Sequence, residues 1–176
     1  MFEQFNIEPF IVYTDGSCVP SIDPTINKNF GGWAYYATRF GEVVAHDNGI
    51  IEENPTNQRA ELIAALEAVR GVRPLRIHTN IQVFVRSDSA YLVNCYQQHW
   101  IFNWIKNGWL TSNRTPVKNK DLWEQLYPYM SSKYYVFEKV AGHANDYYNC
   151  LCDKEANKRA TNLRSGFRDY QPDLRG

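Results

Sequence analysis

The sequence predicts an α/β fold: a mixed sheet of five strands flanked by helices, in the order β-β-β-α-β-α-α-β-α. Three observations carry this. Two β-rich runs, at 10–14 and 81–86, each stop at an Asp inside a turn-type cluster. A hairpin pair with strands at 31–38 and 43–51 lies between them, around Phe40-Gly41-Glu42. Two long stretches, 57–70 and 149–163, carry apolar residues at helical spacing behind polar capping residues.

Taken in order, 1–8 is a short polar lead. Phe10-Ile11-Val12-Tyr13-Thr14 is continuous enough to be a buried strand, and Asp15-Gly16-Ser17 closes it. A loop with two prolines, Cys18 to Phe30, leads to the hairpin. The first helix begins at Pro55-Thr56-Asn57-Gln58-Arg59-Ala60-Glu61, where Thr56 or Asn57 can cap the free N–H groups. Leu62, Leu66 and Val69 form its apolar stripe, and Gly71 and Pro74 punctuate its end. Ile81–Arg86 alternates and ends at Ser87-Asp88-Ser89. Tyr91 to about Lys106 favours helix, broken near His99, and 120–130 is another helix. Tyr134–Val140 is rich in β-formers. The last helix carries Cys152, Ala156, Ala160 and Leu163 on one stripe, with Asn149 as potential cap. The chain reads as one domain over 1–165, with a loose tail at 166–176.

Composition narrows the function. With 44% hydrophobic and 22% charged residues the chain is globular, not disordered. Net charge is zero, so attraction to nucleic acid or membrane must be local. No apolar run reaches transmembrane length, and no signal-peptide pattern opens the chain. The four cysteines do not form a zinc pattern, which points to a reduced, intracellular and cytoplasmic setting.

Four carboxylates stand out by position. Asp15 and Asp88 close strands, and Glu61 and Asp153 each lie four residues after a potential cap, Asn57 and Asn149. In α/β sheets, sites form beyond the carboxyl ends of strands, where helix N-termini also point. Four acids meeting there would repel unless cations sat among them. Magnesium with oxygen ligands is the natural answer. Two ions ~4 Å apart could activate water and stabilise a leaving oxygen in phosphodiester cleavage. Taken singly, each acid is more often a cap or a solvated charge.

The local motifs are more specific. Tyr13-Thr14-Asp15-Gly16-Ser17, Thr56-Asn57-Gln58-Arg59-Ala60-Glu61, Ser87-Asp88-Ser89 and Gly142-His143 with Asp153 ten residues on resemble, in order, the four catalytic motifs of type 1 ribonuclease H. The resemblance spans about 9–163 and implies the ribonuclease H-like sheet. It also implies endonucleolytic hydrolysis of the RNA strand of RNA–DNA hybrids, leaving 5′-phosphate and 3′-hydroxyl ends. Asp15, Glu61, Asp88 and Asp153 would hold two magnesium ions, with manganese as a substitute, and His143 would assist catalysis. Ser17, Cys18, Asn57, Gln58 and Ala90 would contact the RNA strand. Glu61 would also face the 2′-hydroxyl, the group that marks RNA. Trp100, Trp104 and Ser112 would line a deoxyribose channel, with Thr56 and Asn119 on a DNA phosphate. A basic protrusion at about 99–120 would grip the DNA strand through Lys106, Arg114, Lys118 and Lys120. From 100 to 120 there is no Asp or Glu to offset them. The protein would act as a monomer, away from membranes.

Four features depart from the resemblance, one of them the first loop, Cys18 to Phe30, which lacks the usual glycines and is bulkier. Asn54 stands where eukaryotic relatives often carry Arg, the loop after His143 lacks glycines, and Cys150 replaces a usual Glu. Two other readings share the fold: a non-catalytic hybrid-binding module, which would need a missing carboxylate, and another nuclease of the superfold, which would lack the protrusion and the Asn57-Gln58 pair.

Overall fold

The computed structural model describes residues 8–77, 79–140 and 146–169. Its five strands form one sheet in the order β3-β2-β1-β4-β5, made of β1 (Phe10–Pro20), β2 (Asn29–Arg39), β3 (Glu42–Ile51), β4 (Val83–Ser87) and β5 (Tyr135–Lys139). The first three are antiparallel, and β1, β4 and β5 run parallel. The helices are α1 (Asn57–Arg76), α2 (Ala90–Gln97), α3 (Trp100–Lys106), α4 (Lys120–Met130) and α5 (Tyr147–Asp169). The α/β class and the mixed five-stranded sheet are as the sequence predicts. The stretch expected as one broken helix is two, because His99 takes a left-handed conformation (φ 57°) and separates α2 from α3.

The sheet is covered on both faces. On one, Phe10, Val12, Val83 and Val85 pack against Leu62, Val69 and Val72 of α1 and Trp123 and Leu126 of α4. On the other, Tyr13 and Ala34 meet Cys152 and Ala156 of α5. Over β2 that second layer is thin, because Gly32, Ala34 and Ala156 are small. A Cβ at Gly32 would stand 2.1 Å from the Ala156 carbonyl oxygen, so α5 lies almost against the β2 backbone.

Four expected boundaries are corrected. β1 does not stop at Asp15; it extends to Pro20 because β2 pairs with it as far as Pro20↔Asn29. α1 runs past Gly71 and Pro74 to Arg76. Tertiary contacts hold the added turns: Val72 is fully buried, and Gly71 leaves room for the Tyr35 ring. α5 starts at Tyr147, not Asn149, because Asp146 is the cap. Its Oδ1 accepts from the N–H groups of Tyr148 and Asn149 at 3.2 and 3.4 Å. α5 also continues to Asp169, so residues 166–169 are helical where a loose tail is expected. The ring of Phe167 packs on Phe30 at 5.3 Å and lies under Lys28. Among the described residues, no helix is long and apolar enough to cross a membrane.

Candidate active site

The strand register builds the site. The parallel pairing of β1 with β4 ends at Tyr13↔Arg86. Asp15 and Asp88 each lie two residues further on, opposite one another where the strands part. β4 ends at Ser87, whose buried hydroxyl accepts from the Ser89 N–H at 3.1 Å. Ser89 then caps α2. Asp88 is therefore held between a strand end and a helix cap. β1 continues alongside β2, so Asp15 stays on rigid extended backbone.

Glu61 joins them because β1 and α1 touch at Gly16. A Cβ there would lie 2.1 Å from the Ala60 carbonyl carbon and 2.4 Å from the Glu61 nitrogen. Only glycine permits that approach. The Gly16 backbone N–H lowers the pKa of both carboxyls, and each carboxyl acts on the other. Carboxylate oxygens of Asp15, Glu61 and Asp88 all lie within 4.8 Å of one another. Asp15 is 6% exposed, and Glu61 Oε2 is buried with no hydrogen-bond partner. Burial, with the charges of Asp88 and Asp153 added, pushes the Asp15 carboxyl up to about 7. Burial and the charges of Asp15 and Asp88 push Glu61 up to about 9.

Asp153 sits on α5, in the second turn after the Asp146 cap. It is outside the group within 4.8 Å, but its charge acts on Asp15. The start of α5 is seated by stacking: the Tyr148 ring lies 5.5 Å from that of Tyr13 and 6.0 Å from that of Tyr36. His143 lies outside the described residues.

An oxygen-only set of converging carboxylates, one oxygen buried and unpartnered, fits a hard divalent cation. It also makes the metal-free protein pH-sensitive. Between its ordinary value and its raised one, each of these carboxyls keeps its proton in the folded protein and has lost it in the unfolded chain. The folded state then binds more protons, so stability falls as pH rises, starting near pH 4 and ending near pH 9. In chelator, the Tm should fall across this range, and added magnesium should recover most of the loss at pH 8. A metal-free Tm that rises from pH 5 to pH 8 would show that these carboxyls do not dominate the balance.

The nucleic-acid residues expected from the sequence fall into two groups. Near the carboxylates, Ser17 and Cys18 continue β1, and Ala90 opens α2. Asn57 and Gln58 are exposed in the first turn of α1. The Cys18 thiol donates to the Pro55 carbonyl at 3.3 Å, bracing the entry to α1. Thr56 is the cap, its hydroxyl accepting from the Arg59 N–H at 3.1 Å.

Arg59 and Asp121 were not singled out by sequence, and they join the two groups. Arg59 Nη1 and Nη2 donate to Asp121 Oδ1 and Oδ2 at 3.0 and 2.6 Å, and Nη1 also reaches Asn119 Oδ1 at 3.5 Å. This two-bonded pair sets the start of α4 beside the start of α1, with Thr56 and Asn119 flanking it. Its sequence signal was slight: an Arg inside the second motif and an acid in the first turn of α4.

In the protrusion, Trp100 and Trp104 are half-buried neighbours with rings 6.1 Å apart. Trp104 meets core Trp123 edge-on at 5.5 Å, so it is both a core residue and a surface one. Lys106, Arg114, Lys118 and Ser112 are exposed. Lys120 is partly offset by Glu124, 3.5 Å away and just past the acid-free stretch.

Comparison with known proteins agrees with this architecture. The family model described as RNase H matches residues 8–161. The ribonuclease H of Caldanaerobacter subterraneus subsp. tengcongensis is 37% identical over 155 residues, covering 88% of this chain and 92% of the relative. That of Moorella thermoacetica is 38% identical over 154 residues, covering 87% and 92%. Among solved structures, the PFV RNase H domain superposes with a TM-score of 0.71 at 25% identity, covering 88% of this chain and 95% of that one. The foamy viral protease-reverse transcriptase in complex with RNA/DNA hybrid superposes at 0.73 and 18% identity, covering 89% of this chain and 20% of that one, a likeness of fold alone.

Proposed function

Because the chain belongs to the ribonuclease H family and is therefore a ribonuclease H enzyme, we propose that it hydrolyses the RNA strand of RNA–DNA hybrids in a magnesium-dependent reaction, leaving 5′-phosphate and 3′-hydroxyl ends. The observation that carries the metal dependence is the meeting of Asp15, Glu61 and Asp88 around a buried, unpartnered carboxylate oxygen. These three with Asp153 would hold two magnesium ions, or manganese in their place. When bound, such ions supply a nucleophilic water and charge stabilisation at the cleaved phosphate.

The chain's own residues position the hybrid. Glu61 faces the 2′-hydroxyl beside the cut. Asn57 and Gln58 reach into the minor groove, and Ser17, Cys18 and Ala90 follow the RNA strand. Thr56 and Asn119, set side by side by the Arg59–Asp121 pair, take a DNA phosphate. Trp100, Trp104 and Ser112 take the deoxyribose faces. Lys106, Arg114, Lys118 and Lys120 meet further phosphates, an electrostatic contribution that salt weakens. His143 assists with proton transfer or product release, since imidazole exchanges protons near neutral pH. The enzyme works as a monomer in the cytoplasm.

The test is cleavage of end-labelled RNA–DNA hybrid, double-stranded RNA and double-stranded DNA, each with magnesium, with manganese and with chelator. Metal-dependent cleavage of only the hybrid's RNA strand is the expected result. Equal cleavage of double-stranded DNA, or full activity in chelator, would overturn the reading.

A further inference from the structure

A row of four side chains crosses the sheet beneath the start of α5. Tyr13 pairs in register with Tyr36 of β2 on one side and with Arg86 of β4 on the other, and Arg86 pairs with Glu138 of β5. Residues in register share a face, and Tyr13 packs against Cys152 and Ala156, so the row faces α5. It is bonded along its length. Arg86 Nη1 donates to the Tyr13 hydroxyl at 3.0 Å, and Arg86 Nε donates to Glu138 at 2.7 Å. Asp15 lies two residues beyond Tyr13, and Asp88 two beyond Arg86.

α5 rests on this row through three residues. The Tyr148 ring stacks on that of Tyr13 at 5.5 Å and meets that of Tyr36 at 6.0 Å. The Cys152 thiol donates to the Tyr13 carbonyl at 3.3 Å. The Tyr36 hydroxyl donates to Glu155 Oε1 at 2.6 Å, while Glu155 Oε2 accepts from Asn48 at 2.7 Å. These contacts bracket Asp153, with Tyr148 five residues before it, Cys152 one before and Glu155 two after. Asp153 is the acid of the four that stands outside the group within 4.8 Å. The seat of α5 therefore decides whether it can share an ion with the other three. Packing alone asks only for an apolar floor, as buried parallel strands generally supply. It does not account for an ion-paired row that ends under a tyrosine in the first turn of the helix.

On the reading of the four carboxylates as a metal site, we propose that Tyr148 is a positioning residue for Asp153. Its ring stacks on a Tyr13 that Arg86 and Glu138 hold in place. The stack fixes the first turns of α5, and with them the distance of Asp153 from Asp15, Glu61 and Asp88. Affinity for the ion that Asp153 shares follows from that distance. Tyr148 acts through Asp153 and is not itself a ligand. Supports of this kind behind metal ligands are typically worth about 10- to 100-fold in metal affinity.

The experiment is calorimetric titration of the full chain with magnesium at pH 8, without hybrid, so that cleavage does not enter the readout. Tyr148→Ala should weaken magnesium binding about tenfold or more. Tyr148→Phe keeps the ring and should bind as the wild type does. Tyr148→Leu keeps apolar volume but loses the stack, so it should weaken binding less than alanine does, and it carries the test if the alanine variant does not fold. Asp153→Asn should weaken binding by itself. Adding Tyr148→Ala to it should weaken binding no further, because two changes that act through one carboxylate do not add. Wild-type affinity in Tyr148→Ala or, if that does not fold, in Tyr148→Leu would overturn the proposal and leave the metal site standing. So would wild-type affinity in Asp153→Asn, an additive double variant, or a Tyr148→Phe protein as weak as the alanine one. A wild-type chain that binds no magnesium would overturn the metal site, and this role of Tyr148 with it.

Discussion

Asp15→Asn protein should bind hybrid as the wild type does and cleave it at least about a thousandfold more slowly, a loss of roughly 4 kcal/mol of transition-state stabilisation. The amide keeps the shape of the carboxylate. It removes the charge at the most buried of the clustered acids. The same substitution should raise the Tm of the metal-free protein at pH 8. Asp15 is packed against Glu61 and Asp88 and feels Asp153, so neutralising it relieves repulsion that the fold otherwise bears. The two effects have opposite signs, and that separates the roles. A residue that served only the fold would lose stability and activity together. Burial carries a strained charge cluster only where function needs it. The measurements are steady-state cleavage and hybrid affinity at fixed magnesium, beside thermal melts in chelator. Wild-type turnover in Asp15→Asn would remove it from the site. A lowered metal-free Tm would recast it as a structural residue.

Much of this was legible in the sequence, because β-formers, helix caps and apolar stripes report local structure. The misreadings arose where tertiary contact outweighed a local signal. Asp15-Gly16-Ser17 has turn composition, yet it is strand, because β2 pairs with it. Gly71 and Pro74 mark a helix end, yet α1 passes through them, held by Val72 in the core. Asn149 is as good a cap as Asp146 on paper. It ends up buried in the first turn of α5. The convergence of the acids could not be read from spacing at all. It depends on β1 and β4 being parallel neighbours in one register, and on how closely α1 approaches β1. The motif resemblance supplied what spacing could not. It did not supply the Arg59–Asp121 pair, whose partners lie 62 positions apart.

That close approach makes Gly16→Ala one of the most damaging single methyl additions predictable among the described residues. The added carbon would sit 2.1, 2.3 and 2.4 Å from the Ala60 carbonyl carbon, its oxygen and the Glu61 nitrogen. Non-bonded carbon contacts settle near 3.5 to 4.0 Å, so β1 and α1 must separate by about an ångström or more. All three neighbours are backbone, so no side chain can swing aside. β1 is held in place by β2 and β4 on either side, and α1 by its buried stripe. Overpacking of this kind costs about 3 kcal/mol, which for a chain of this size lowers the Tm by roughly 6 to 12 °C. The displacement also separates Asp15 from Glu61, and a misplacement near 1 Å costs about a hundredfold in rate. Magnesium should stabilise the variant less than it stabilises the wild type, since the carboxylates no longer converge. Gly166→Ala is the matched control. Gly166 lies in α5, and a Cβ there would meet nothing within 4 Å, so alanine should stabilise by up to about 1 kcal/mol through helix propensity. Melts with and without magnesium, and cleavage rates, on both variants decide the matter. A Gly16→Ala protein with wild-type Tm and turnover would mean that the contact between β1 and α1 does not set the position of Glu61.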